Sequence, residues 1–145
     1  MNVTDLRGTF FLDTNVLIYS FDASAPQKQE VAREIIQYAI QTQRGMVSTQ
    51  IVQEFLNIVL QKFVPPLSSN DARAYLQTVL LPLCRHFPSI SFYDQTISIQ
   101  VETGYAWYDA LVVTAAIDSG CVTLLSEDLQ HNRKIRALTI INPFI

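Results

Sequence analysis

The feature that most narrows the fold is a set of short runs that are apolar without interruption. Thr9–Leu12 (TFFL), Cys121–Leu125 (CVTLL) and Leu138–Ile141 (LTII) lack the polar alternation of a strand with one wet face. Strands of this kind must be covered on both faces, which is the condition of a parallel sheet. Between them lie stretches with helical period. Val31, Ile35 and Ala39 stack at four-residue steps, and Ile51, Phe55, Ile58 and Val59 share one wide face. Strands alternating with helices predict an α/β fold: a three-layer α/β/α sandwich around a central, mainly parallel sheet.

The remaining elements follow from local chemistry. Val16–Phe21 is too apolar for a loop and predicts a short helix. Ser24 opens a longer one, with Pro26 in its first turn and Gln27 completing a capping box. Met46–Ser48 reads as a brief strand and Gln50–Phe63 as a helix stopped by Pro65-Pro66. Ser68 and Asp71 start a helix toward Cys84, disturbed near Pro82. Ile90–Tyr93 reads as a strand or extended segment, with Asp94 as the N-cap of the next helix. Trp107–Ser119 is a strongly apolar helix closed by Gly120.

At 145 residues, 49% hydrophobic and 16% charged, residues 1–145 are expected to form one domain with a core of its own. That composition excludes a disordered or disulfide-framework chain. A net charge of −3 leaves no bulk basic footprint, so contact with nucleic acid would need a local patch or bound cations. Cys84 and Cys121 stand apart without metal-ligand spacing and read as reduced thiols. No apolar stretch approaches a membrane span or a signal-peptide core. The expected setting is therefore soluble and cytoplasmic.

Ligands of an open parallel sheet bind outside the carboxyl ends of its strands. Asp13 follows the first strand directly, and Glu127 and Asp128 follow Ser126 after CVTLL. Asp13 and Asp128 read equally well as caps or loop acids, and Glu127 as a solvated one. Glu54 sits at the margin of the apolar face of its helix, where a carboxylate needs a cation or donors. Asp109 lies in the first turn of an almost wholly apolar helix, favoured there by the helix dipole. Four acids from four elements, directed to one sheet edge, would repel one another and raise each other's pKa. Hard divalent cations, Mg²⁺ or Mn²⁺, are the simplest partners for such an all-oxygen set; the absence of clustered His or Cys argues against zinc.

With these residues in place, the chain resembles PIN-domain nucleases, especially the VapC-like ribonuclease toxins of bacterial toxin–antitoxin pairs. The resembling segments are FFLDTNVLIYSFD (10–22), STQIVQEFLNIVLQKF (48–63), WYDALVVTAAIDSGCVTLLSEDLQH (107–131) and the closing INPFI, in the family's order. The resemblance implies a PIN-like fold in which Asp13, Glu54, Asp109 and Asp128 are catalytic and bind metal, with Asn15 and Ser126 orienting the first and last acids. It implies metal-dependent endoribonuclease activity in which a metal-activated water cleaves an RNA phosphodiester. It also implies a homodimer held inactive by a small antitoxin protein.

Three departures concern loop geometry. Ala106 stands where relatives often carry a capping Ser, Asn132 where Gly is common, and Arg136-Ala137 where a Gly-containing segment is usual. Arg133, Lys134 and Arg136 are candidates for contact with RNA phosphates, against the plain reading of a solvated turn. His86 and His131 read as structural or exposed. A haloacid-dehalogenase-type phosphatase would need an acid at Asn15, and a receiver domain a paired acid near the first strand. The nearer alternatives are a non-toxin PIN nuclease of RNA processing and a catalytically silent PIN module that binds proteins.

Overall fold

A computed structural model describes residues Met1–Ile145. Six strands make one sheet: β1 (Phe10–Leu12), β2 (Gly45–Ser48), β3 (Cys84–His86), β4 (Thr123–Leu125), β5 (Lys134–Ile135) and β6 (Leu138–Ile141). Their order is β3-β2-β1-β4-β6-β5, and every pair is parallel except β5–β6. The helices are α1 (Thr14–Tyr19), α2 (Pro26–Thr42), α3 (Thr49–Asn57), α4 (Ser69–Tyr75), α5 (Leu81–Leu83), α6 (Ile90–Thr103) and α7 (Trp107–Asp118). A π-helical turn, Ile58–Lys62, prolongs α3, and another, Leu76–Leu80, joins α4 to α5.

The chain first winds outward from β1 through β2 to β3, then returns past β1 to place β4 and β6 on the other side. Parallel crossovers are right-handed almost without exception. Winding in opposite directions therefore puts the helices before β3 on one face and the packed pair α6–α7 on the other. This is the expected α/β/α sandwich. Phe10, Phe11, Leu12, Leu124, Leu125 and Ile140 are fully buried, as strands covered on both faces require. Gly45 permits a close contact between α2 and the sheet. A Cβ there would lie 2.2 Å from the Ala39 Cβ on α2 and 2.8 Å from Cε2 of Phe10.

The winding reverses between β1 and β4. Such a switch point opens a crevice at the strands' carboxyl ends. Asp13 stands at the end of β1, and its N–H still donates to Leu125 O at 3.0 Å; Ser126 N–H donates to Ile141 O at 3.0 Å.

Several local expectations are corrected. Ile90–Tyr93 opens α6 instead of forming a strand. Ser89 is the N-cap, accepting from Phe92 N–H, and Asp94 is an exposed residue inside the helix. Four residues, Ile-Ser-Phe-Tyr, are too few to carry a period of their own; Phe92, Thr96 and Ile99, buried at helical spacing, decide the matter. Ser24 does not cap α2. Its amide and hydroxyl both donate to Asp22 Oδ1, and Ala25 occupies the cap position without a side-chain bond. Pro26, lacking an N–H, removes one of the donors a cap would serve.

The helical stretch toward Cys84 runs to Leu83 as expected, and Cys84–His86 then pairs with β2 as β3, a strand not assigned from the sequence. Within the supposed turn HNRKIR, Lys134–Ile135 forms a two-residue hairpin with β6.

Candidate functional site

Each acid is delivered by a different element to the switch point. Asp13 caps α1, its Oδ1 accepting from Thr14 N–H at 2.8 Å. Ser126, fully buried at the end of β4, donates from Oγ to Asp13 Oδ2 at 2.7 Å and accepts from Asp128 N–H at 3.1 Å. Asn15 spans the two strand ends. Its Nδ2 donates to Asp128 Oδ2 at 3.2 Å and to Asp13 Oδ2 at 3.4 Å, while its Oδ1 accepts from Glu127 N–H at 3.3 Å. The capping role and the site role of Asp13 are therefore compatible, since the two oxygens serve different partners.

Glu54 reaches the same place from the edge of the apolar face of α3. Thr14 Oγ1 donates to its Oε2 at 2.7 Å, and Gln50 Nε2 donates to its Oε1 at 2.7 Å. These are the donors a half-buried carboxylate requires. Asp109, in the first turn of α7, completes the wall. Asp13, Glu54, Asp109 and Asp128 line one cleft of about 450 Å³, with Tyr19, Asp22 and Tyr108 also at its walls.

The electrostatics record the crowding. Burial raises Asp13 to a pKa of about 6; the bonds from Ser126 and Thr14 pull against this, and the charges of Asp128 and Glu54 add to it. Asp109 is raised by burial and by the same two neighbours, with no hydrogen bond in opposition. No three acid, histidine or cysteine side chains approach closely enough to enclose an ion unaided. An all-oxygen, mutually repelling set open to water fits a small hard dication that keeps part of its hydration shell. It does not fit a dehydrated, fully protein-caged ion.

One residue near the cleft departs from expectation. Glu127 is not merely solvated: Lys28 Nζ lies 3.0 Å from its Oε1, and Tyr19 OH donates to that oxygen at 3.0 Å. The pair pins the loop carrying Asp128 to α1 and α2. A lone acid beside a stronger candidate gives no local signal of such a partner. The basic residues after Asp128 do not line the acidic cleft. Arg133 donates to Thr103 O and stacks on the Tyr105 ring, Arg136 pairs with Glu102 at 3.4 Å, and Lys134 is exposed. Asn132 and Arg136 both adopt left-handed backbone, φ 66° and 55°, where Gly would be unstrained. Ala106 caps α7 without a side-chain bond.

Comparison with known proteins agrees with this architecture. Among solved structures, a DNA-bound VapBC assembly from Salmonella typhimurium is 16% identical, with a TM-score of 0.62 over 92% of this chain and 97% of that one. FitAcB from Neisseria gonorrhoeae is 20% identical, with a TM-score of 0.57 over 93% and 98%. A sarcin–ricin-loop-cleaving VapC toxin from Mycobacterium tuberculosis is 16% identical, with a TM-score of 0.57 over 83% and 92%. No curated protein matches the chain. The PIN domain profile matches residues 10–136, and with that span matched the chain belongs to the PIN domain family.

Proposed function

We propose that residues 1–145 act as one metal-dependent endoribonuclease unit, the toxin of a type II toxin–antitoxin pair. The reading is carried by one observation, the convergence of four carboxylates from four elements on the cleft at the sheet's switch point. Asp13, Glu54, Asp109 and Asp128 would hold Mg²⁺ or Mn²⁺. When bound, such an ion neutralises phosphate charge and acidifies water.

The chain's own part is orientation. Ser126 and Asn15 fix the carboxylates of Asp13 and Asp128 relative to each other. Thr14 and Gln50 each occupy one oxygen of Glu54, leaving its other lone pairs for the cleft. Asp109, with no hydrogen bond pulling its pKa down, is the acceptor most available to a hydrated cation.

Backbone phosphates are assigned first to Lys134, because Arg133 and Arg136 already hold intramolecular partners. The VapBC and FitAcB structures, named as assemblies, support an antitoxin partner here. A homodimer acting in the cytoplasm completes the reading; no helix is long and apolar enough to cross a membrane.

The test is RNA cleavage by Asp13→Ala and Asp109→Ala. Each should lose at least ~10²-fold in rate, more than the typical 10–100-fold cost of losing an outer-shell partner, while circular dichroism stays native. Millimolar Mn²⁺ should raise the Tm of the wild type more than that of Asp13→Ala. Cleavage by both variants at the wild-type rate refutes the assignment.

A further inference from the structure

A second cavity, of about 190 Å³, opens at the carboxyl ends of β2 and β3. Tyr108 belongs to its wall and also to the wall of the acidic cleft. Gln50 bridges the two, donating from Nε2 both to Glu54 in the cleft and to Tyr108 O at 3.2 Å. At 4.7–4.9 Å between strands, this position lies roughly 5–10 Å along the sheet edge from Asp13.

Its lining is of three kinds: aromatic surface, neutral polar groups, and the His86 ring, whose Nε2 lies 2.8 Å from Asp118 Oδ2. Phe92 and Tyr93 supply aromatic surface, with ring centroids 5.5 Å apart, and the Tyr108 ring is largely exposed. Ser48, Gln50 and Gln53 supply neutral donors and acceptors with no charge among them. Ser48 is the decisive residue. It occupies the N-cap position of α3 yet caps nothing, it is 2% exposed, and its Oγ has no hydrogen-bond partner. A buried hydroxyl left unpaired costs stability unless a ligand or water completes it.

We infer that this cavity receives one unpaired nucleobase of the RNA, stacked on Tyr93 and hydrogen-bonded along its edge by Ser48, Gln53 and the side-chain carbonyl of Gln50. The inference rests on the nuclease reading, for it places a neighbour of the scissile phosphate beside the acidic cleft. The volume is below the roughly 300–1,000 Å³ of sites for drug-sized ligands and suits a single ring system. Neutral amides and hydroxyls beside aromatic faces are the chemistry that reads single-stranded RNA bases.

The experiment uses the full chain in EDTA and 2′-O-methyl hexanucleotides of A, C, G or U, followed by fluorescence of Trp107, the only tryptophan. At least one hexamer should bind, and replacing one of its bases by an abasic residue should weaken binding about 5- to 150-fold, the range of a single base–aromatic stack. Tyr93→Ala should lose a similar factor and then be indifferent to that abasic position. In cleavage assays Tyr93→Ala should raise KM with kcat unchanged. Ser48→Ala should keep stacking but change which base is preferred.

The inference is overturned if no hexamer binds, or if no abasic position loses its effect in Tyr93→Ala. Asp109→Asn separates the two readings. Wild-type cleavage by that variant refutes the nuclease assignment while base binding in EDTA still reports on the cavity. Lost cleavage with base binding insensitive to Tyr93 refutes the cavity alone.

Discussion

Replacing Asp13 by Asn should stabilise the metal-free protein, and only above a defined pH. Asp13 is 8% exposed, and its burial raises its pKa from 3.8 to about 6. A rise of about two pH units corresponds to about 3 kcal/mol at 1.36 kcal/mol per unit. A carboxyl with a raised folded-state pKa ionises more readily in the unfolded chain. The native state is therefore undisturbed below pH 3.8, loses stability as pH rises from 3.8 to 6, and carries the full deficit above that.

Asn lacks the charge and keeps an acceptor for Thr14 N–H, but it mispairs with the Ser126 hydroxyl and the Asn15 amide, at about 1 kcal/mol. The net gain at pH 8 is then about 2 kcal/mol, or roughly 4–8 °C in Tm at 2–4 °C per kcal/mol for a chain near this size. Below pH 4 the gain should vanish or reverse.

Urea unfolding in EDTA between pH 4 and 8, read by Trp107 fluorescence, measures it. A difference that is flat with pH, or an Asn variant that falls further behind as pH rises, refutes the reasoning. Adding Mn²⁺ should reverse the ranking at pH 8, because the ion offsets the charge that Asn lacks.

Three further outcomes are expected. Ser126→Ala removes the donor to Asp13 and the acceptor for Asp128 N–H together; it should cost about 1–3 kcal/mol, lower RNA cleavage roughly 10–100-fold, and move the midpoint of the pH–stability curve upward. Gly45→Ala drives a Cβ to 2.2 Å from Ala39 and should cost about 3 kcal/mol or more by urea unfolding, at or above the usual range for overpacking; a loss under about 1 kcal/mol would mean the layers shift freely. Burial pushes the Cys121 thiol up to about 11, so native protein at pH 8 should resist iodoacetamide at Cys121, and mass spectrometry should find it alkylated only after denaturation.

The four acids could be read from the sequence because three of them adjoin landmarks that local chemistry makes visible. Asp13 and Asp128 follow apolar strands, and Asp109 opens an apolar helix. Glu54 betrayed itself only as a carboxylate on the edge of an apolar face. What escaped were partnerships that depend on chains far apart in sequence. Lys28 and Glu127 are 99 residues apart, and nothing near either announces the other. The failure of Ser48 to cap α3 is equally invisible, since its residue type is a normal cap.

Chain order and hydrophobic period are local quantities, so the amino-acid sequence alone determined that strands covered on both faces alternate with amphipathic helices, and which acids end them. Ile90–Tyr93 is so short that it satisfies strand and helix alike until its neighbours choose. The tertiary structure alone decided where the winding reverses. That reversal brings the ends of β1 and β4 side by side, and Asn15 and Ser126 then bond across the gap. Convergence depends on strand order and on the burial that follows from it, and neither is a property of any single segment.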